Sequence, residues 1–211
     1  MKTAFRKSLV AISTLAAIAT PMLANAESST QTGAGALTAN ARLDFRVTIP
    51  KVLFLRVGTG GLFGAATNNT VDLIDFTVPA ANVGDASVIA GTGGDLLAGK
   101  VTALLRSNAG VVTLTAVAAG PLTNGTDTIP WTEIGVANSA LVAPAFANTF
   151  PHLANMSLAL ASANFAPAPV AKVTNVGSTW TFSYLNTTTY PAGTYGGGPV
   201  NGRVTYTASV L

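Results

Sequence analysis

The segment from Leu37 to Ile49 reads L-T-A-N-A-R-L-D-F-R-V-T-I, and every second residue is apolar: Leu37, Ala39, Ala41, Leu43, Phe45, Val47 and Ile49. Between them stand Thr38, Asn40, Arg42, Asp44, Arg46 and Thr48. A strict period of two sends alternate side chains to opposite faces of an extended chain, so the run predicts a strand with one apolar and one polar face. At thirteen residues it exceeds the usual strand of about 5–6 residues. An apolar row of that length has to be buried, either in the molecule's own core or against a neighbour.

The residues before it read as a secretory leader. Met1 to Lys7 is basic, Ser8 to Ala19 is mostly apolar, and Ala24-Asn25-Ala26 is an A-x-A cleavage site. The apolar part is shorter than the about 20 residues a membrane-spanning helix needs. Residues 1–26 are therefore expected to be a signal peptide, 27–36 a small, polar, flexible tail, and 37–211 a single domain. No later stretch has the apolar length of a transmembrane helix.

Of the eleven Lys and Arg residues, Lys2, Arg6 and Lys7 lie in the leader, so the remainder balance the eight acids. Neither a nucleic-acid footprint nor a polybasic membrane patch is present in that balance. Charged residues make up 9% of the chain, against about 25% in ordinary soluble domains. Thr, Asn and Ser supply the polar faces instead, a composition that suits an extracellular sheet protein. Cysteine is absent, so stability has to come from burial, and thiol chemistry is excluded.

Beyond Pro50, which cannot donate to a ladder, Val52–Val57 predicts a well-buried strand. Further strands are expected at Val71–Val78 and Ala86–Ala90. Lys100–Arg106 and Val111–Ala118 flank Ser107-Asn108-Ala109-Gly110, which signals a hairpin. Asn124-Gly125 centres a loop, and Trp131–Val136 is a strand. Leu153–Ala163 can form a short helix or a strand, with strand favoured. Thr179–Tyr184 alternates, setting Trp180, Phe182 and Tyr184 on one face. Arg203–Val210 closes the chain with Val204, Tyr206, Ala208 and Val210 inward. Such segments, separated by Gly, Pro and Asn turns, predict an all-β sandwich or barrel.

The residues offer no convincing active site. His152 is the one histidine and reads as a surface loop residue. No G-x-S-x-G elbow occurs. Asp72 and Asp75 fall on opposite faces of their expected strand, so a shared acid–base role is disfavoured, and the carboxylates read as solvated. Gly58-Thr59-Gly60-Gly61 and Gly91-Thr92-Gly93-Gly94 complete no phosphate-binding motif and read as turns. Asn68, Asn124, Asn155 and Asn186 fit the glycosylation pattern, as chance allows in an Asn- and Thr-rich chain. No metal or cofactor is expected, and the chain is read as a non-enzyme.

Two parts of the sequence resemble the subunits of chaperone–usher pili, above all the cysteine-free major subunit of the common pilus of enterobacteria, and more loosely the spore coat U-like secreted domains. One is the N-terminal layout of leader, short polar tail, alternating run Leu37–Ile49 and buried strand Val52–Val57. The other is the C-terminal pattern, Tyr190-Pro-Ala-Gly-Thr-Tyr195, a glycine linker and the closing strand Gly202–Ala208. Together they cover roughly a quarter of the mature chain. The resemblance implies an incomplete immunoglobulin-like sandwich, completed by donor-strand exchange. Its implied partners are a periplasmic chaperone, an outer-membrane usher and further copies of the chain, joined head-to-tail. It also implies export through the periplasm to the cell surface, and a role in adhesion or biofilm. Leu37, Ala39, Ala41, Leu43, Phe45, Val47 and Ile49 would be the subunit-interaction strand. Donor segments of that family sit with slack before the domain. Here only Pro50 and Lys51 separate the run from Val52, so packing in cis as the domain's own first strand stays open beside packing in trans.

Two other functional classes are compatible with the sequence. A self-contained secreted carbohydrate-binding sandwich would draw an aromatic platform from Trp131, Trp180, Tyr184, Tyr190, Tyr195 and Tyr206, although core packing accounts for most of these. A small outer-membrane β-barrel would show paired aromatic girdles, which the sequence lacks.

Overall fold

The computed structural model of the chain describes residues 27–141, His152, 159–165 (as backbone) and 172–210. The expected leader and most of 142–171 lie outside the described residues. Residues 27–49 and residues 50–211 form two units.

In the first unit, residues 27–49 form neither strand nor helix, and every one is exposed. Arg42 grips Glu27 in a two-pronged ion pair, Nε to Oε2 at 2.6 Å and the second guanidinium nitrogen to Oε1 at 2.8 Å. That hydrogen bonding holds the Glu27 carboxyl below the usual carboxylate range.

The second unit is all-β and antiparallel throughout. In chain order its strands are β1 (Leu53–Val57), β2 (Ile74–Asp75), β3 (Ile89–Ala90), β4 (Thr92–Gly93), β5 (Lys100–Ser107), β6 (Val112–Ala118), β7 (Leu122–Thr123), β8 (Thr128–Ile129), β9 (Ile134–Ala140), β10 (Ala159–Phe165), β11 (Thr174–Tyr184) and β12 (Val204–Val210). Short 3-10 turns follow Pro79 and Pro130. β11 organises the larger sheet. β5 pairs with it along Thr174–Thr181, β3 at Ser183 and Tyr184, and β9 along Ser178–Tyr184. β1 adds to the outer side of β5. The second sheet is β10-β6-β12. Two small ribbons, β2 with β4 and β7 with β8, complete the set.

Both main sheets feed one core. Val101, Ala103 and Leu105 of β5, Val112, Leu114 and Ala116 of β6, Val136 of β9 and Val176, Trp180, Phe182 and Tyr184 of β11 belong to a single buried cluster. The alternation expected for Trp180, Phe182 and Tyr184 is realised. β5 is buried on its other face as well, at Thr102 and Leu104. Part of that face is roofed by the loop after β1. Phe63 meets Phe54 edge-to-face at 5.7 Å, and Arg106, the cross-strand partner of Phe54, lies over the Phe63 ring at 4.8 Å.

The hairpin expected at Ser107–Gly110 is not formed. β5 and β6 follow one another but pair in different sheets, so the turn carries the chain across the core. The cause is long-range. Asn108 Oδ1 accepts from the Val52 N–H at 2.8 Å and its Nδ2 donates to the Pro50 carbonyl at 2.8 Å, while Gly110 N–H reaches the Lys172 carbonyl. These bonds tie the turn to the starts of β1 and β11 instead of letting β6 fold back along β5.

Other expectations need smaller corrections. β1 is half-buried, with Leu53 exposed, because it has one ladder neighbour among the described residues. Of Val71–Val78 only Ile74 and Asp75 pair. Their partner β4 is cut short by Gly93 and Gly94, both at positive φ (74° and 79°), where an added Cβ would strike the Leu73 and Lys100 carbonyls. Trp131–Glu133 is a 3-10 turn before β9, with the Trp131 indole N–H donating to the Gly120 carbonyl at 2.8 Å. Strand was favoured over helix for 153–163, and the described part of that region is strand β10.

Two polar knots fix the periphery. After β11, Asn186 turns the chain at φ 56° while buried to 2% exposure. Its Oδ1 accepts from Gly84 N–H at 3.0 Å, and its Nδ2 donates to the Asn82 carbonyl and to Asp85 Oδ1. This burial removes Asn186 as a glycan acceptor in the folded chain. Arg56 and Asp95, 2.9 Å apart with side chains 17% and 9% exposed, form the second knot. Arg56 Nε donates to the Gly58 carbonyl and Asp95 Oδ1 accepts from Thr102 N–H. Asp95 and Glu133, which accepts from Thr187 N–H, are thus not the solvated carboxylates expected.

Asn186→Ala leaves buried Gly84 and Asn82 groups unsatisfied and places Ala at positive φ. It is expected to lower the unfolding free energy by about 3 kcal/mol, read as a lower urea midpoint, whereas Asn68→Ala on the exposed loop changes it by less than about 0.5 kcal/mol. Asp95→Ala strands Arg56 beside a buried strand. It should cost about 3 kcal/mol by the same measurement, and an unchanged midpoint would show that the pair does not brace β1.

Candidate functional site

Two features stand out: a free apolar row and free sheet edges. The seven residues singled out from the sequence, Leu37, Ala39, Ala41, Leu43, Phe45, Val47 and Ile49, all lie in the exposed first unit and join no strand. Phe45 is 85% exposed and Val47 82%. Large apolar side chains at such exposure, spaced two apart, form a row with no covering surface in the described residues.

Among the described residues the edges are β1 and β9 in the larger sheet and β10 and β12 in the second, and β1 and β12 lie beside each other. β1 pairs only with β5, and β12 only with β6, among the described residues. The two strands approach each other without a ladder between them, one closing each sheet on the same side of the core. Leu55 and Val57 of β1, and Val204, Tyr206, Ala208 and Val210 of β12, pack against the core but remain half-buried. The inward pattern expected for β12 is therefore present, and its burial is incomplete. Unpaired N–H and C=O groups along a half-covered apolar strand are the chemistry that accepts another strand.

Behind β12 lies a feature that sequence reasoning missed. His152, expected on the surface, is half-buried in a nest of aromatic rings. Its ring stands edge-to-face against Trp180 at 4.6 Å, with Tyr206 at 5.6 Å and Phe182 at 6.0 Å. Its Nε2 lies 3.0 Å from the Tyr206 hydroxyl. Asn138 of β9 clasps the His152 backbone on both sides, its Oδ1 accepting from N–H at 3.0 Å and its Nδ2 donating to C=O at 3.1 Å. Burial raises the Tyr206 hydroxyl well above its ordinary pKa, so it stays protonated. The only available clue was that Trp180, Phe182 and Tyr206 all face inward from strands of different sheets.

The remaining candidates serve structure. Asp72 accepts from Thr59 N–H and Oγ1 and ties the loop after β1. Asp75 sits in β2, exposed. The two glycine clusters are turns, as expected. Trp131, Trp180 and Tyr184 are buried, and Tyr190, Tyr195 and Tyr206 pack on the core. Tyr184 is pushed up to about 12, first by burial and then by the Glu133 carboxylate. Among the described residues no three His, Cys, Asp or Glu side chains gather as a metal site, and no helix is long and apolar enough to cross a membrane.

Set against family models, curated proteins and solved structures, the chain matches none of them.

Proposed function

We propose that the chain is a structural subunit of an extracellular, fimbria-like filament that polymerises by β-strand addition. In this reading the two sheets and their shared core are an incomplete immunoglobulin-like sandwich. Residues 37–49 of one copy add as a strand at the neighbouring β1 and β12 edges of the next, and a role in adhesion or biofilm follows from surface display. One observation carries it: a single chain holds both an exposed, strictly alternating apolar row and two half-buried, unpaired edges beside one core.

The energetics favour the exchange. Burying a Leu, Ile, Val or Phe side chain is worth about 1.5–3 kcal/mol, so Leu43, Phe45, Val47 and Ile49 together offer on the order of 6–12 kcal/mol before ordering costs. Main-chain hydrogen bonds to the receiving edge supply the ladder, and the apolar side chains supply register. Donor and acceptor lie on different parts of the chain, so the contact is head-to-tail and does not close, which generates a filament. Until a donor arrives, the edges need a cover, the task a periplasmic chaperone performs before an outer-membrane usher. The expected leader supplies the export route.

The other readings lose ground on particular residues. A carbohydrate platform would need exposed aromatic faces, and Trp131 and Trp180 are buried. In an outer-membrane barrel apolar residues face outward, whereas here Thr205, Thr207 and Ser209 are the exposed face of β12.

The purified chain is expected to form SDS-resistant ladders and filaments visible by negative-stain microscopy. Phe45→Asp and Val47→Asp should abolish both while leaving the far-ultraviolet dichroism of the unit 50–211 unchanged. Removing residues 27–49 should yield monomers that take up an added 37–49 peptide. Filaments of normal yield from the Asp variants, or a wild-type chain that stays monomeric at all concentrations, would refute the assembly reading.

A further inference from the structure

We infer that Asn108 is a positioning residue for the apolar run: by clamping Pro50 and Val52 it blocks the turn through which residues 37–49 would fold back onto their own β1 edge, and so reserves the run for a second copy. The consequence for filament growth rests on the assembly reading, while the block on folding back is a property of Pro50, Val52 and Asn108.

The run ends at Ile49 and β1 begins at Leu53, so Pro50, Lys51 and Val52 are the whole length in which the chain could reverse. Asn108 binds that length from the β5 side. Its Oδ1 accepts from the Val52 N–H at 2.8 Å, its Nδ2 donates to the Pro50 carbonyl at 2.8 Å, and its backbone N–H donates to the Val52 carbonyl at 3.4 Å. One residue thus continues the β1–β5 ladder from its last pair, Leu53 opposite Ser107, back to Pro50. Proline fits that place because the position needs only a carbonyl. The clamp is itself held. The Ser107 hydroxyl accepts from Ala109 N–H at 3.1 Å, and Gly110 N–H donates to the Lys172 carbonyl at 3.3 Å.

Alternation along β1 shows why this matters. In an antiparallel pair, successive residues point their N–H and C=O groups alternately toward the partner and away from it. Val52 turns both groups toward Asn108, and Gly58 N–H donates to the Thr102 carbonyl of β5 at 2.8 Å. Residues 52, 54, 56 and 58 therefore face β5, and Leu53, Leu55 and Val57 present their N–H and C=O groups on the side with no ladder neighbour among the described residues. A two-residue turn at Pro50-Lys51 would close with Ile49 opposite Val52 and would need the groups that Asn108 holds on the other side. A three-residue turn would set Ile49 opposite Leu53. It would break the bonds to Asn108 and force Val52 into the left-handed region that β-branched residues avoid. A reversal placed earlier takes Val47 and Ile49 into the turn and out of the row. Every fold-back that keeps the row whole has to undo the clamp.

The test uses the full chain, in which the absence of native cysteine makes an introduced pair unambiguous. Val47→Cys and Leu55→Cys stand opposite each other in the fold-back that sets Ile49 opposite Leu53. In dilute, oxidising solution, adding Asn108→Ala to that pair is expected to raise the intramolecular disulfide of the monomer, read by mass spectrometry, about tenfold or more, because two side-chain hydrogen bonds are lost. Asn108→Asp keeps the acceptor for the Val52 N–H and should give a smaller rise, so the test does not depend on the Ala variant folding. Without the cysteines, Asn108→Ala should weaken uptake of a labelled 37–49 peptide by a similar factor. It should leave uptake unchanged in a Phe45→Asp chain, whose own run no longer competes. Equal disulfide yields with and without the Asn108 side chain overturn the clamp. So does peptide uptake that falls equally in the Phe45→Asp chain, the result of a merely structural role. If the wild-type chain forms no filaments and takes up no peptide, the assembly reading falls, and the disulfide ratio still decides the clamp.

Discussion

An indole with no exposed surface sits in the middle of β11, and its burial sets the terms for its neighbours. Trp180 pairs through its backbone with Val101 of β5 on one side and Asn138 of β9 on the other, so the larger sheet is anchored on both flanks of the same residue. Its side chain fills the space toward the second sheet, where it meets Tyr206 and His152. A side chain of that volume cannot be half accommodated in an interior packed like a crystal. The two sheets hold their separation because the indole is between them. Phe182 and Tyr184 extend the same apolar face toward the end of the strand.

That arrangement covers the middle of the core and leaves its flank open. β5 is enclosed on both faces, but β1 and β12, which close the two sheets beside each other, are each half-covered. A strand with one neighbour has one satisfied edge and one edge that only water or another strand can satisfy. Natural sheets usually blunt such edges with charge, proline or a bulge. β12 carries none of these in Val204–Val210, and β1 carries a single charged residue, Arg56, which is turned to Asp95. The two edges therefore lack the usual protection against strand addition, which is the feature the proposed assembly would use.

How much of this was legible in the residues depends on how local each determinant is. Alternation in Thr179–Tyr184 and Arg203–Val210 survived intact, because a period of two reports which face a side chain takes whatever its partners are. The degree of burial did not survive, since it is set by neighbours: Val52–Val57 looks like a central strand by composition and stands at an edge. Ser107–Gly110 carries every sign of a hairpin, yet its geometry is dictated by Asn108 reaching Pro50 and Val52, residues more than fifty positions away. His152 was the largest miss. Its sequence neighbours, Pro151 and Leu153, say nothing of Trp180, Phe182 and Tyr206, which meet it only after β11 and β12, from two sheets, converge. The row Leu37–Ile49 was the opposite case, legible as a pattern to the last residue, while the run itself does not encode which surface covers it.

The low charge of the chain gives that row its physical consequence. A thirteen-residue alternating segment is the kind of strand that aggregates when exposed, and the usual gatekeepers are charges at its flanks. Here the charges lie within the run itself, Arg42, Asp44 and Arg46, all on the polar face. They leave the apolar face continuous and place mixed charge on the side that would point outward from a receiving sheet. Like a strand in an antiparallel sheet with one wet face, the segment is written for a site that is apolar on one side and solvated on the other. In the proposed assembly β1 and β12 supply that site, with half-buried Leu55, Val57, Val204, Ala208 and Val210 on its apolar side. An indiscriminately sticky segment would not need that match. In the proposed assembly, the two-faced character of the run is what separates addition of one copy to the next from nonspecific association.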